Sequence, residues 1–396
     1  MPTDTATTAT TVDPAQHGLT KHSHGAVPVQ SRAERFASKN HADFPPVTGR
    51  EAEWKLTPVP LLTALIDGLL DGSPYEVSTV QQPGVTVEWI GRDDERIGRA
   101  GTSEERAAAN AWSSFEKALA VTIEAESTQP LTITRAALGD SPRAAHTVIT
   151  AKPNTDGLVI LQSTGTAHLT ENVEIVVEDG ARLTVVSVQE WDDDALHLAS
   201  HFARVGHGAY LKHIVVSLGG KVVRVNPSAH LAEEGADGEL FGVYFADAKQ
   251  HLEQRVYVHH DAPHTRSRVA YKGALNGDGA RTVWVGDVLI GRTAPGTDSY
   301  EQNRNLVLSD GTRADSIPNL EIETGDIAGA GHASATGRFD DEQLFYLASR
   351  GIPEAEARRL VVLGFLAEIV QKIGQPELEA RLEVAIEAEL EAVGTK

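Results

Sequence analysis

Apolar and polar positions along this chain follow two different periods. From about residue 31 to residue 121 the pattern is mostly helical. "AERFASKNHADFPP" runs to a proline pair, and "GREAEWKLTPVPLLTALIDGLLDG" follows, with Trp54 as a core anchor. Thr102 and Glu105 form a capping-box signature ahead of "SEERAAANAWSSFEKALAV", where Ala108, Ala111, Trp112 and Phe115 recur at helical spacing. Between about residues 125 and 326 the period shortens to two. Val/Ile/Thr-rich runs such as "ENVEIVVEDGARLTVVSVQEW" and "GDGARTVWVGDVLI" are punctuated by Gly/Asp turns. "DGAR" occurs at residues 179–182 and 278–281, with related turns at Gly208, Gly238 and Gly311. Their spacing is too irregular for a strict repeat but fits stacked β layers with variable loops, leaving a sandwich, a barrel or a solenoid.

After Phe339 the helical period returns. "DDEQLFYLASRG" ends on Gly351 as a C′ glycine, and Pro353 opens "PEAEARRLVVLGFLAEIVQKIG". In the last segment Leu378, Leu382, Ile386 and Leu390 share one face. The expected organisation is a disordered tail over residues 1–30 and a mainly helical N-terminal domain over 31–124. A β core over 125–337 and a helical C-terminal domain over 338–396 complete it.

Composition narrows the chemistry. The 396 residues carry a formal charge of −21 and no basic cluster, which argues against nucleic acid as a partner. No apolar run approaches the roughly 20 residues of a membrane span, and no secretory pattern opens the chain, so the cytoplasm is the expected compartment. With no cysteine, the chain has no disulfides, no thiolate catalysis and no sulfur ligand of its own. "SLGGKVV" lacks the spacing of a phosphate-binding loop, and no G-x-S-x-G elbow is present.

Histidines are then the candidate chemistry. His17, His22 and His24 fall in the Thr/Ala-rich tail and read as solvated. In "VHHDAPHTRS", His259 and His260 point to opposite faces of a strand, while His260 and His264 could converge with Asp261 across the Pro263 turn. Two ligands from one turn fall short of a zinc site, so hydrogen-bonding histidines at an edge are the favoured reading. His197, His201, His207 and His213 read as surface polar residues. His332 stands alone among small residues in "IAGAGHASATGRFD", which leave room for another chain, and a neutral imidazole is a competent iron ligand. A metal hydrolase using His260 and His264 remains one alternative. A carbohydrate-binding or carbohydrate-active solenoid is another, although aromatic residues make up only 5% of the chain.

From Ser217 to Phe365 the sequence resembles the SufB/SufD family of iron–sulfur cluster assembly proteins, and within it the SufD branch. The resemblance rests on "SLGGKVVRVN", "HDAPHTRSRVAYKGAL", "VWVGDVLI", "QNRNLVLSDGTRADSIPNLEIETGDI" and "GHASATGRFDDEQLFYLASRGIPEAEA". It implies a right-handed parallel β-helix between helical N- and C-terminal domains, and a non-catalytic scaffold in a complex with SufB and the ATPase SufC. It places His332 at the SufB–SufD junction, as a ligand for iron or a transient iron–sulfur cluster shared with SufB. It also puts SufC on the C-terminal helices around Tyr346, Arg350, Gly351, Ile352 and Phe365, and leaves a SufD homodimer open. Many members of that family carry a cysteine shortly before this histidine, where this chain has Gly329, Ala330 and Gly331. The cluster's thiolates are therefore expected from the partner.

Overall fold

A β-branched run with period two can bury both faces only if something covers each face, and this chain supplies both covers. The computed structural model describes Arg32 and residues 35–126, 129–247, 249–338 and 341–394. His17, His22 and His24 and the expected tail over residues 1–30 lie outside the described residues. From Phe36 on, the first elements are helix α1 (Val59–Asp67), strands β1 (Ser78–Thr79) and β2 (Val85–Gly91), helix α2 (Arg106–Ser114) and strand β3 (Lys117–Ile123). There follow β4 (Leu131–Ala136), β5 (Gly139–Ala151), β6 (Asp156–Gly165), β7 (Ala167–Val177), β8 (Arg182–Trp191), β9 (Leu196–Val205) and β10 (Tyr210–Ser217). The series continues with β11 (Val222–Leu231), β12 (Asp237–Ala246), β13 (His251–His260), β14 (Arg266–Leu275), β15 (Arg281–Ile290), β16 (Thr297–Val307), β17 (Arg313–Ile322) and β18 (Ile327–Arg338). Helices α3 (Asp341–Ser349), α4 (Glu354–Val370) and α5 (Pro376–Gly394) end the chain.

Odd strands from β3 to β17 build one parallel sheet and even strands from β4 to β18 the other, so the chain winds through a parallel β-solenoid of about 8 turns. Tyr210 stacks on Arg182, Asp237 on Tyr210, Arg266 on Asp237 and Asp298 on Arg266. The two ends differ. At the start, β2 runs antiparallel to β3 and β1 antiparallel to β4, which stops the stack. At the finish, β17 and β18 are the outermost strands, with no further strand beside them among the described residues.

The irregular turn spacing has a simple origin: there are two corners, and the sequence interleaves them. One corner is a column of left-handed residues, Asn154, Gly180, Gly208, Gly235, His264 and Gly296, each a coil apart. The amides of Gly180, Gly208 and Gly235 donate to the carbonyls of His207, Glu234 and Pro263 on the next coil, which needs a positive φ that glycine adopts without strain. Lys249, Gly279 and Gly311 form the other corner. Gly238, expected in a turn, lies within β12, and Gly235 makes that turn.

Helix boundaries in the N-terminal region differ from the expectation. Among the described residues of "AERFASKNHADFPP" only the short 3-10 turn His41–Asp43 forms. Glu105 is the N-cap position of α2 and makes no side-chain cap, because its carboxylate accepts from Arg224 and Asn226 instead. The apolar residues after Phe115 leave the helix: Ala118 and Ala120 pack outward under α2, and Leu119, Val121 and Ile123 face the solenoid interior. Two buried faces favour a strand, so this stretch became β3.

Sequence and cover agree elsewhere. Trp54, Leu62, Leu65 and Ile66 press onto the outer face of the odd-strand sheet at Leu198 and Val222. Val362, Leu366, Ile369, Leu382 and Ile386 press onto the even-strand sheet at Val186, Val216, Phe241 and Val243. This double burial explains why the central strands read as nearly continuous apolar runs. Buried ion pairs lock the N-terminal cover in place. Arg224 spans Glu253 and Glu105 beneath the Trp54 ring, and Thr57 donates to Glu253.

The apolar solenoid interior is interrupted by several polar clusters, and at one of them the histidine expectation fails. His197, His201 and His213 are fully buried and face inward. Arg135 makes a bidentate pair with Glu171 (2.5 and 3.0 Å), and His197 Nε2 lies 2.8 Å from the same carboxylate. Trp191 can only donate, so His197 Nδ1 accepts from it and Nε2 carries the proton toward Glu171. Burial opposes the Glu171 charge, but Arg135 and His197 hold the carboxyl well below its ordinary range. His201 Nδ1 and His213 Nε2 are 2.8 Å apart, and burial depresses both, His201 to about 4. Parity along β9 and β10 sets these side chains inside.

Arg135→Met is expected to cost about 3–5 kcal/mol in urea denaturation, because it strands the buried Glu171 charge. The double variant Arg135→Met/Glu171→Leu should recover most of that loss. A double variant no better than the single would show that the pair itself, rather than charge compensation, carries the effect.

Candidate functional site

Another polar cluster sits at the unfinished end. β16 alternates strictly, with Thr297, Ser299, Glu301, Asn303 and Asn305 inward and Tyr300 and Arg304 exposed. Where earlier coils place Leu240 and Val269 in the same column, β16 places Glu301 and β18 places His332. Neighbouring inward positions are polar as well. The Tyr244 hydroxyl donates to Asn305 and accepts from Asn303, Ser316 donates to Asn303, and Ser334 donates to Ser316 (2.7–2.8 Å). A hydrogen-bonded chain therefore runs from a buried tyrosine to the last coil.

Glu301 is the anomaly within this network. Its side chain is 1% exposed, neither carboxylate oxygen has a hydrogen-bond partner, and the nearest cation candidate is His332 Nδ1 at 3.8 Å from Oε1. Burial pushes the carboxyl up to about 8, and the Asp287 charge adds to that. Close packing against Gly286 keeps it there, since a Cβ on that glycine would lie 2.3 Å from Glu301 Oε2. His332 above it is 44% exposed at the solenoid's free edge. Gly329 and Gly331 flank it where a Cβ would crowd the Tyr300 ring, so the small residues serve packing within the chain as well as access from outside. His332 and Glu301 also border a groove of about 580 Å³ shared with Arg268, Tyr300, Glu368 and Lys372.

This arrangement offers one accessible imidazole and one dry carboxylate beside it. A hard or borderline cation at this point would gain a nitrogen ligand and an oxygen ligand while giving the stranded carboxylate a partner. Sulfur ligands are absent from the chain.

The other candidates are distributed around the fold. His260 is sealed inside, with Thr265 Oγ1 at 2.8 Å from Nδ1 and Ser267 Oγ at 2.9 Å from Nε2. His264 occupies the left-handed corner position (φ 55°), its ring over Gly296. The two do not converge, which removes the hydrolase site proposed for them. His259 does point outward, opposite to His260 as expected. His207 lies at the Gly208 corner, exposed. Tyr346, Arg350 and Gly351 are exposed at the end of α3, and Ile352 is half-buried. Gly351 (φ 84°) closes α3 in a Schellman motif, its amide bonded to Ala348 and that of Ile352 to Leu347. Phe365 is half-buried on α4, with the Lys272 ammonium 4.6 Å over its ring. Sequence reasoning missed Glu301 because "SYEQNRN" reads as an ordinary polar strand, and only its register against apolar Val269 could have flagged it.

Comparison with known proteins follows from this geometry. Residues 134–365 match the family model described as SUF system FeS cluster assembly, SufBD core domain. An iron–sulfur cluster assembly SufBD family protein of Mycobacterium bovis is 49% identical over 384 residues, 94% of this chain and 96% of that protein. One from Mycobacterium leprae is 48% identical over 370 residues, 91% of this chain and 94% of its own length. A second SufBD family protein of M. bovis is 33% identical over 223 residues, 56% of this chain but 26% of that longer protein.

Glu301→Gln tests the buried carboxyl through pH. A carboxyl near 4.5 unfolded and about 8 folded contributes stability that is fully present below pH 4.5 and lost as pH rises toward 8. Glu301→Gln should therefore gain on the wild type across that window by up to about 1.4 kcal/mol per pH unit, measured by denaturant unfolding. Parallel stability–pH curves for the two proteins would contradict this picture.

Proposed function

The chain belongs to the SufBD family of iron–sulfur cluster assembly proteins, and from that membership we propose that it is the SufD-type half of a SufB–SufC–SufD complex in the cytoplasm. In this reading it is a non-catalytic scaffold. The observation that carries the proposal is the unfinished solenoid end with His332 standing over the unpartnered Glu301. Two SufBD solenoids meeting end to end would each cover the other's last coil. His332 then supplies a nitrogen ligand and Glu301 an oxygen ligand to iron or a nascent cluster, while the SufB-type partner supplies the thiolates. M. bovis holds two different SufBD family relatives of this chain, as a two-component assembly requires.

ATP hydrolysis belongs to the SufC partner, docked around Tyr346, Arg350, Gly351 and Ile352, with Phe365 supporting that surface from the solenoid side. Lys272 of β14 joins the Phe365 carbonyl and Glu368 of α4, and β14 neighbours β16. Movement of α3 and α4 on nucleotide binding thus has a mechanical route to the strand that carries Glu301. No described helix is long and apolar enough to cross a membrane.

Co-expression with SufB- and SufC-type partners, followed by anaerobic cluster assembly, tests the proposal. The ternary complex should form with His332→Ala, while cluster yield falls about tenfold or more, at least the loss typical of perturbing a metal site's outer shell. Unchanged cluster formation in an intact His332→Ala complex would remove the ligand role. Exclusive self-association of the wild-type chain, with no SufB capture, would replace the heterodimer by a homodimer.

A further inference from the structure

A second group of potential ligands lies on the outer face of the odd-strand sheet, away from the unfinished end. His230 of β11 and His259 of β13 are register partners on adjacent strands, and their rings stack with centroids 5.1 Å apart and planes 13° apart. Asp261 follows β13 directly, its amide anchored to the Leu231 carbonyl. His230 Nε2 lies 3.1 Å from Asp261 Oδ2, and one ligand atom from each of the three residues falls within 4.8 Å of the other two. We propose that His230, His259 and Asp261 bind a divalent first-row transition-metal ion such as zinc.

Several features favour a site over a surface ion pair. Zinc–ligand bonds of about 2.0–2.2 Å place tetrahedral ligands roughly 3.3–3.5 Å apart. At 3.1 Å the His230–Asp261 pair is hydrogen-bonded and a few tenths of an ångström short of that spacing, so the ion replaces the shared proton as the two atoms open slightly, and His259 closes the set with a side-chain adjustment. Thr293 donates to Asp261 Oδ1 at 2.9 Å, which orients the carboxylate and leaves Oδ2 for the ion, the supporting contact that carboxylate ligands usually have. Neither ring nitrogen of His259 hydrogen-bonds among the described residues, so nothing has to be displaced to recruit it. Two paired strands position both imidazoles, a more rigid frame than a loop. Three protein ligands leave a fourth position open to water or an exogenous ligand.

The site is separate from His332 and is tested separately. In full-length protein with the tail histidines replaced (H17A/H22A/H24A) and stripped by a chelator, titration with cobalt(II) should give one equivalent of binding with ligand-field absorption bands. Zinc should compete for it. His259→Gln and Asp261→Asn should each weaken binding about tenfold or more, while His332→Ala leaves it unchanged. A zinc-dependent rise in melting temperature, lost in the same two variants, provides a readout that does not depend on colour. Cobalt binding weaker than about 1 mM in the parent, on the affinity scale where 1 mM is about −4.1 kcal/mol, would overturn the proposal. So would equal affinity in the parent and both variants, or loss of binding in His332→Ala alone.

Discussion

Every coil of this protein depends on a neighbour. A single two-strand coil can satisfy neither its backbone hydrogen bonds nor its inward apolar residues, and both needs are met only by stacking. From β3 to β18 the register shifts only at Gly139/Arg143 and Thr297/Asp298, and the corners stack as well, amide to carbonyl, through the left-handed columns at Gly180 and Gly279. At the start the stack is terminated by β1 and β2, which run the wrong way to continue it. At the other end nothing in the described chain terminates it, and the inward column changes there from Leu240 and Val269 to Glu301 and His332. The chemistry of the candidate site is a consequence of where the stacking stops.

The covers follow from the same geometry. Strands buried on both faces need apolar partners outside, and the N-terminal segment and the C-terminal helices supply one sheet each. The exposed pattern of β17 and β18 marks the region neither cover reaches. Buried charges occur where they can be compensated, as at Arg135–Glu171 or Arg224–Glu253. Glu301 has no such compensation, and burial pushes its carboxyl up to about 8, so near neutral pH the isolated chain keeps it uncharged and a cation or partner group is what would ionise it.

Much of the architecture was legible in the sequence. The period-two runs, the C-terminal helical face at Leu378, Leu382 and Ile386, the Gly351 cap and the opposed faces of His259 and His260 follow from local periodicity alone. Family resemblance supplied the solenoid and pointed to His332. What stayed hidden depends on contacts between coils. Two interleaved corners made the turns look irregular until the register separated Gly235 from Gly238. His197, His201 and His213 looked like surface residues because a polar side chain in a strand gives no sign of which face it is on. The His230–His259 pairing joins residues a full coil apart and cannot be read from either stretch separately, and the same holds for Glu301 against His332.

The central claim is that the β17–β18 end is completed by another solenoid. Hydrogen–deuterium exchange measures this directly, since unpaired edge amides exchange by local opening while paired ones require larger unfolding. In the isolated chain, the amides of Ile327–Arg338 and Arg313–Ile322 should exchange much faster than those of the central strands. With a SufB-type partner they should slow by about tenfold or more, with no comparable change at β2. Protection that appears elsewhere on the solenoid and leaves both terminal strands unchanged would contradict the account.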